Sequence, residues 1–170
     1  MPEPDEKQVR DHVQRRALAL LARREHTIRE LEQKLTRRLD AEPGVVRSVV
    51  QALADRDLVS DERYATAFAR DAVRMKPRSA GRLERELAER GVPERVAGAA
   101  VRSVFDDLEV DDARLAARAA DAYHPRVAAA PVATRWRRLA AHLQRRGFAN
   151  SLIYDICAAR LPETAADGDA

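Results

Sequence analysis

Three times along the chain leucine recurs four places on, each time in nearly the same frame. "LEQKLTRRLD" begins at Leu31, "LERELAERGV" at Leu83 and "LAAHLQRRGF" at Leu139. Residues four apart stack on one helix face, so Leu31/Leu35, Leu83/Leu87 and Leu139/Leu143 predict three amphipathic helices. An Ala- and Arg-rich helical stretch precedes each one: "VQRRALALLARRE", "ERYATAFARDAVR" and "DARLAARAADAYH". After each come apolar residues at helical spacings of three, four and seven. These are Val46, Val49, Val50 and Leu53; then Val96, Ala100, Val101 and Val104; then Leu152, Ile153 and Ile156. The expected fold is therefore all-α, with three tandem three-helix repeats at 13–58, 59–110 and 111–161. Tails are expected at 1–12 and 162–170. A triplet of this size buries little surface alone, whereas adjacent triplets share core. An elongated molecule with scope for curvature is the consequence.

The ends of the middle helices are marked too. Thr27 and Glu30 form a T-x-x-E capping box, Ser79 stands four residues before Leu83, and Thr134 stands five before Leu139. Gly91 and Gly147 suit the left-handed position just past a helix, with Arg90 and Arg146 at the negative helix end. In the first pass Arg38 keeps that place, but Leu39 replaces the glycine and "DAEPG" is inserted, so Pro43-Gly44 is expected to make a longer turn. Tyr64 and Phe68, four apart, read as core of the second triplet. Trp136, the only tryptophan, reads as a packing residue rather than a platform for bases.

Composition narrows the function. Apolar residues make up 45% of the 170 and aromatic ones 4%, so the core is thin and aliphatic. The net charge of +3 hides an uneven distribution. Asp112–Arg160 carries nine arginines against three aspartates, a balance of +6, while Asp61–Asp111 balances at −1. Two cationic sets stand out. Arg138 and Arg145 fall opposite the Trp136, Leu139 and Leu143 face of their helix, with Arg135 and Arg137 flanking. Arg70, Arg74, Lys76, Arg78 and Arg82 crowd around a break at Pro77. Such sets suit phosphates or an acidic protein surface. Backbone contact with single-stranded or duplex DNA is expected over base readout, because no helix carries Asn, Gln and Arg at base-reading spacing.

Signs of chemistry are missing. His12, His26, His124 and His142 have no metal-ligand spacing, and no phosphate loop, dinucleotide fingerprint or nucleophile elbow occurs. Asp106-Asp107 and Asp111-Asp112 read as solvated helix ends and N-caps. The expectation is a protein without catalytic residues, metal or cofactor. Lone Cys157, in an apolar helical pattern, reads as a buried thiol in a reducing compartment. "MPEPDEKQVR" is no secretory signal and no segment approaches the roughly 20 apolar residues of a membrane span. A cytoplasmic monomer with no membrane partner is expected.

"ALALLARREHTIRELEQKL", "LADRDLVSDERYATAFARDAVR" and "RLERELAERGV", in that order, resemble the RecX family of recombination regulators. The resemblance spans roughly residues 14–160, and departs at the "DAEPG" insertion and the "HPRVAAAPVA" connection. It implies a non-enzymatic modulator that binds the RecA–DNA filament, lies in its helical groove and suppresses ATPase and strand-exchange activity. The competing readings are a stand-alone DNA-binding helical-repeat protein and a general protein-interaction scaffold, with an enzyme a distant third.

Overall fold

The computed structural model describes residues 6–39 and 41–161. Among them the chain forms nine α-helices and no strand: α1 (Glu6–Leu21), α2 (Ile28–Arg38), α3 (Pro43–Ala54), α4 (Asp61–Met75), α5 (Ala80–Glu89), α6 (Glu94–Asp107), α7 (Asp112–Tyr123), α8 (Val132–Arg145) and α9 (Asn150–Arg160). A single 3-10 turn, His124–Arg126, interrupts the α7–α8 connection. All six stripe leucines of α2, α5 and α8 are buried, at 1% exposure or less. Several local expectations are corrected. Helix α1 starts at Glu6, within the stretch read as a tail. Pro43 is the first residue of α3, where its fixed φ suits a helix start and its missing N–H costs nothing. Thr134 lies inside α8, which begins two residues earlier without a side-chain cap.

The core is built from smaller residues than the aromatic spacing implied. On α4 the buried positions are Ala65, Ala69, Ala72 and Val73, whereas Tyr64 and Phe68 are only half-buried. On α7 they are Leu115, Ala116, Ala119 and Ala120. Alanine lets helix backbones approach closely and loses no side-chain entropy on burial, so a thin core still packs. Packing divides the chain into two compact units. One comprises residues up to Ala67 with Glu86–Ala100, the other Phe68–Arg85 with Val101 onward, so the divisions fall inside α4, α5 and α6. In the first unit Val13 and Ala17 of α1 meet Leu31 and Leu35 of α2 and Val46, Val49, Val50 and Leu53 of α3. In the second, Leu139 and Leu143 of α8 and Ile153 and Cys157 of α9 are buried with the α7 residues.

Each unit contains a junction of the same design, in which one triplet's middle helix is capped by the next triplet. The buried Thr27 hydroxyl accepts from the Glu30 N–H (3.0 Å) and donates to the Arg90 carbonyl at the end of α5 (2.7 Å). The neighbouring Ile28 N–H donates to Oδ1 of Asp61, the first residue of α4 (2.9 Å). In the other unit Ser79 accepts from the Arg82 N–H (3.2 Å), and its own N–H donates to the Arg146 carbonyl at the end of α8 (3.1 Å). There the Ala80 N–H donates to Oδ1 of Asp112, the first residue of α7 (2.8 Å). A helix start leaves amides that need acceptors, and burial makes that need costly to ignore. The Thr27–Glu30 box is half made: the Glu30 carboxylate pairs with Arg24 and with Lys34 (2.9 Å), which holds its pKa down to about 2 against the cost of burial.

Gly91 (φ +87°) and Gly147 (φ +84°) complete these junctions. A Cβ on Gly91 would stand 2.5 Å from Cβ of Arg29, and one on Gly147 would stand 2.7 Å from Cβ of Arg82 and 2.8 Å from Oγ of Ser79. Helices α5 and α8 end in paired reverse bonds, Val92 N–H to Leu87 and Gly91 N–H to Ala88, then Phe148 N–H to Leu143 and Gly147 N–H to Gln144. The same bonds end α3 and α6, but there the left-handed residues are Asp57 (φ 54°) and Glu109 (φ 49°). Gly91→Ala and Gly147→Ala are therefore expected to lose about 2 kcal/mol each in denaturant unfolding, from left-handed strain and the close contacts. Glu109→Gly, relieving strain at an exposed position, is expected to gain about 1 kcal/mol.

His142 of α8 is buried, its ring stacked on Tyr123 of α7 (centroids 3.9 Å apart, planes at 17°). Burial first, then the charges of Arg146, Arg145 and Arg126, lower its pKa from 6.5 to about 4, partly offset by a hydrogen bond to the Ala119 backbone. Between those two values the unfolded chain binds the proton that the folded chain refuses, so stability falls as pH drops through this window. The expected loss is about 2–3 kcal/mol between pH 7 and the folded pKa. His142→Phe, which keeps a stacking ring, is expected to remove about one proton's worth of slope from unfolding free energy against pH.

Candidate functional site

The cationic sets read from sequence meet the structure unequally. Arg70 of α4 is tied to Asp107 of α6 (2.6 Å), Arg82 lies with its stem over Gly147, and Arg78 places its guanidinium 5.7 Å from the Phe68 ring centroid. These three are half-buried and help to hold the second unit together. Arg74 and Lys76 are exposed at the end of α4, and the Arg74 carbonyl accepts from Nη2 of Arg118 on α7 (3.5 Å). On α8, Arg137, Arg138 and Arg145 are exposed and Arg135 is half-buried. Arg138 and Arg145 sit seven residues apart, about 10 Å along the helix. Trp136 packs edge-on to the exposed Tyr154 of α9 (centroids 5.6 Å apart, planes at 68°).

The structure brings one member of each set into a common electrostatic neighbourhood. The Ser79 N–H to Arg146 carbonyl bond pins the start of α5 to the end of α8. Arg78 is thereby brought to act on Arg146, as its chain neighbour Arg145 and Arg126 from the 3-10 turn also do. Burial and these three like charges all push the Arg146 pKa below the usual guanidinium range. Its Nε is buried without a hydrogen-bond partner among the described residues. Such a group remains charged at neutral pH, so the cluster gains most from an anion, which would remove repulsion among guanidiniums and supply acceptors.

Arg126 and Arg146 were not among the sequence candidates. Arg146 was read only as a helix-end cation, although its register with Arg90 was visible. Arg126 sits in a connection whose path the sequence does not dictate, and no local signal marks it.

Among the described residues no group of three or more His, Cys, Asp or Glu could hold a metal ion. Cys157 is buried and unbonded, and burial raises its thiol pKa above the ordinary value. Among the described residues no helix is long and apolar enough to cross a membrane. The Asp111-Asp112 pair serves as caps: Asp111 Oδ1 accepts from the Arg114 N–H of its own helix (2.7 Å), and Asp112 reaches α5.

Comparison with known proteins gives this geometry a family. A model described as RecX, second three-helix domain, matches residues 60–101, which cover α4, α5 and half of α6. The protein named Regulatory protein RecX from Halorhodospira halophila is 42% identical over 134 residues, 78% of each chain. Its namesake from Corynebacterium efficiens is 29% identical over 157 residues, 91% of this chain and 74% of its own. The crystal structure of RecX from Lactobacillus salivarius matches with a TM-score of 0.73 over 92% of this chain and 99% of the other, at 21% identity, which shows the shared all-helical fold. Substantial identity across more than two thirds of both sequences settles the relationship: the chain belongs to the RecX family.

Proposed function

We propose that the protein is a non-catalytic regulator of the RecA recombinase, binding the RecA–DNA filament and slowing its ATP hydrolysis and strand exchange. The relatives' name, regulatory protein, supports the role. The observation that carries the mode of action is the cluster of Arg78, Arg126, Arg145 and Arg146, in which three like charges act on the half-buried Arg146. A nucleoprotein filament offers phosphates and acidic side chains in a repeating array. Weak contacts from several triplets then add through effective concentration. Bridging of neighbouring filament subunits holds them in a state that cannot turn over, or blocks their addition and loss.

Within the candidate set the roles divide. Arg74, Lys76, Arg137, Arg138 and Arg145, all exposed, are the proposed contacts with filament or DNA backbone. Arg78 and Arg135 border them, and Arg70 and Arg82 position the α4–α5 turn through the Asp107 pair and the Gly147 contact.

The test is titration of the purified protein into RecA assembled on single-stranded DNA, following ATP hydrolysis and filament lifetime. Inhibition is expected, and Arg138→Glu with Arg145→Glu together should raise the half-inhibitory concentration by about tenfold or more, with helicity unchanged. Unaltered hydrolysis and filament lifetime at saturating protein would refute the role. Tight, salt-sensitive binding to a defined duplex site without RecA would instead favour a stand-alone DNA-binding protein.

A further inference from the structure

The end of α2 differs from the ends of α5 and α8. Gly91 is covered by Arg29, and Gly147 by Ser79 with Arg82. Helix α2 instead closes on Leu39 in an extended conformation (φ −117°, ψ 135°). That end lines an open cleft of about 80 Å³ against α1. Arg16, Ala19 and Leu20 of α1 supply one wall with Arg23 from the turn that follows, and Leu35, Arg38 and Leu39 supply the other. The floor is aliphatic, and among the described residues the lining contains no carboxylate. Arg16, Arg23 and Arg38 are exposed, and among the described residues none of their side chains has an ion-pair or hydrogen-bond partner. The larger cleft of about 450 Å³ beside it in sequence, between α2 and α3, is lined by Glu32 as well as Arg37 and Arg47 and so has no single sign.

We propose that the α1–α2 cleft docks an acidic peptide segment carrying one apolar side chain. The leucines and Ala19 receive the apolar group, whose removal from water supplies the non-directional part of the affinity. Arg16 lies on α1 and Arg23 two residues past its end, so carboxylates on either side of the inserted group each meet a guanidinium, with Arg38 facing them from α2. A guanidinium takes a carboxylate through two parallel hydrogen bonds, which fixes orientation as well as sign. A nucleic acid strand would bring charge but nothing to fill an aliphatic cleft, and no lining residue is an aromatic ring on which a base stacks. None of these seven residues belongs to the arginine sets of α4, α5 and α8, so the proposal does not rest on the filament reading.

The experiment uses the full chain and a fluorescent synthetic peptide of aspartate and glutamate around one central leucine. Its two comparators are the same peptide with alanine at the centre and a thymidine oligonucleotide of similar charge. The leucine peptide is expected to bind, several-fold tighter than the alanine peptide. Arg16→Glu with Arg23→Glu should weaken it at least about tenfold, the size of one or more charge-assisted bonds. In the unaltered chain the methyl signals of Leu20, Leu35 and Leu39 should shift on adding the peptide, a readout independent of how the variants fold. Equal binding by parent and variant, unmoved methyl signals, or an oligonucleotide that shifts those methyls as strongly as the peptide would each overturn the proposal. RecA inhibition is not read here, so failure of one idea leaves the other standing.

Discussion

Burying the start of a helix is expensive unless its free amides find acceptors, and this chain meets that cost with groups borrowed from the next triplet. The Ile28 and Ala80 N–H groups both donate to an aspartate that opens a later helix, Asp61 or Asp112. Thr27 and Ser79 both touch the terminal carbonyl of a later middle helix, at Arg90 or Arg146. A small hydroxyl residue is needed because the space is closed, with Thr27 at 0% and Ser79 at 3% exposure. Glycine is needed opposite because the covering side chains leave no room for a Cβ. The two junctions thus couple sequence positions 32 to 67 residues apart, and the buried starts of α2 and α5 take their acceptors from the following triplet.

The junction also shapes the functional surface. The bond between Ser79 and the Arg146 carbonyl draws the break after α4 against the end of α8, and so adds Arg78 to Arg145 and Arg126 around Arg146. Structural ties and crowded positive charge therefore occupy the same few residues. Arg70 and Arg82 are largely committed to packing, while Arg137, Arg138 and Arg145 of α8 and Arg74 and Lys76 at the end of α4 are exposed.

Much of the fold could be read directly from the sequence because leucine pairs and glycine ends are local signals. Leu31/Leu35, Leu83/Leu87 and Leu139/Leu143 announce three equivalent helices, and the left-handed turns at Gly91 and Gly147 follow from their place past a helix. Local reading failed where tertiary contacts choose between options. Tyr64 and Phe68 share a helical spacing with the true core face, yet alanines took the interior and the rings stayed at its edge, one beneath Arg78. Glu30 had the right spacing for a reciprocal cap, but Arg24 and Lys34 compete for its carboxylate. Pro43 signals both a turn and a helix start, and only the path of the chain decides. For the candidate site, sequence gave cations but not neighbourhood: the separation between Arg78 and Arg145 in the chain hides their common influence on Arg146.

The junctions are tested most directly by equilibrium unfolding of Asp61→Ala and Asp112→Ala beside Asp61→Asn and Asp112→Asn. Removing the acceptor leaves a buried helix-start amide unpaired, so each alanine variant should lose about 1–2 kcal/mol. Asparagine still offers an oxygen to the same N–H, and burial already raises the Asp61 pKa above its ordinary value, so the asparagine variants should retain most of the stability. Alanine variants that unfold at the same denaturant concentration as the parent would show that the triplets do not depend on these caps, and the account would fail at its base.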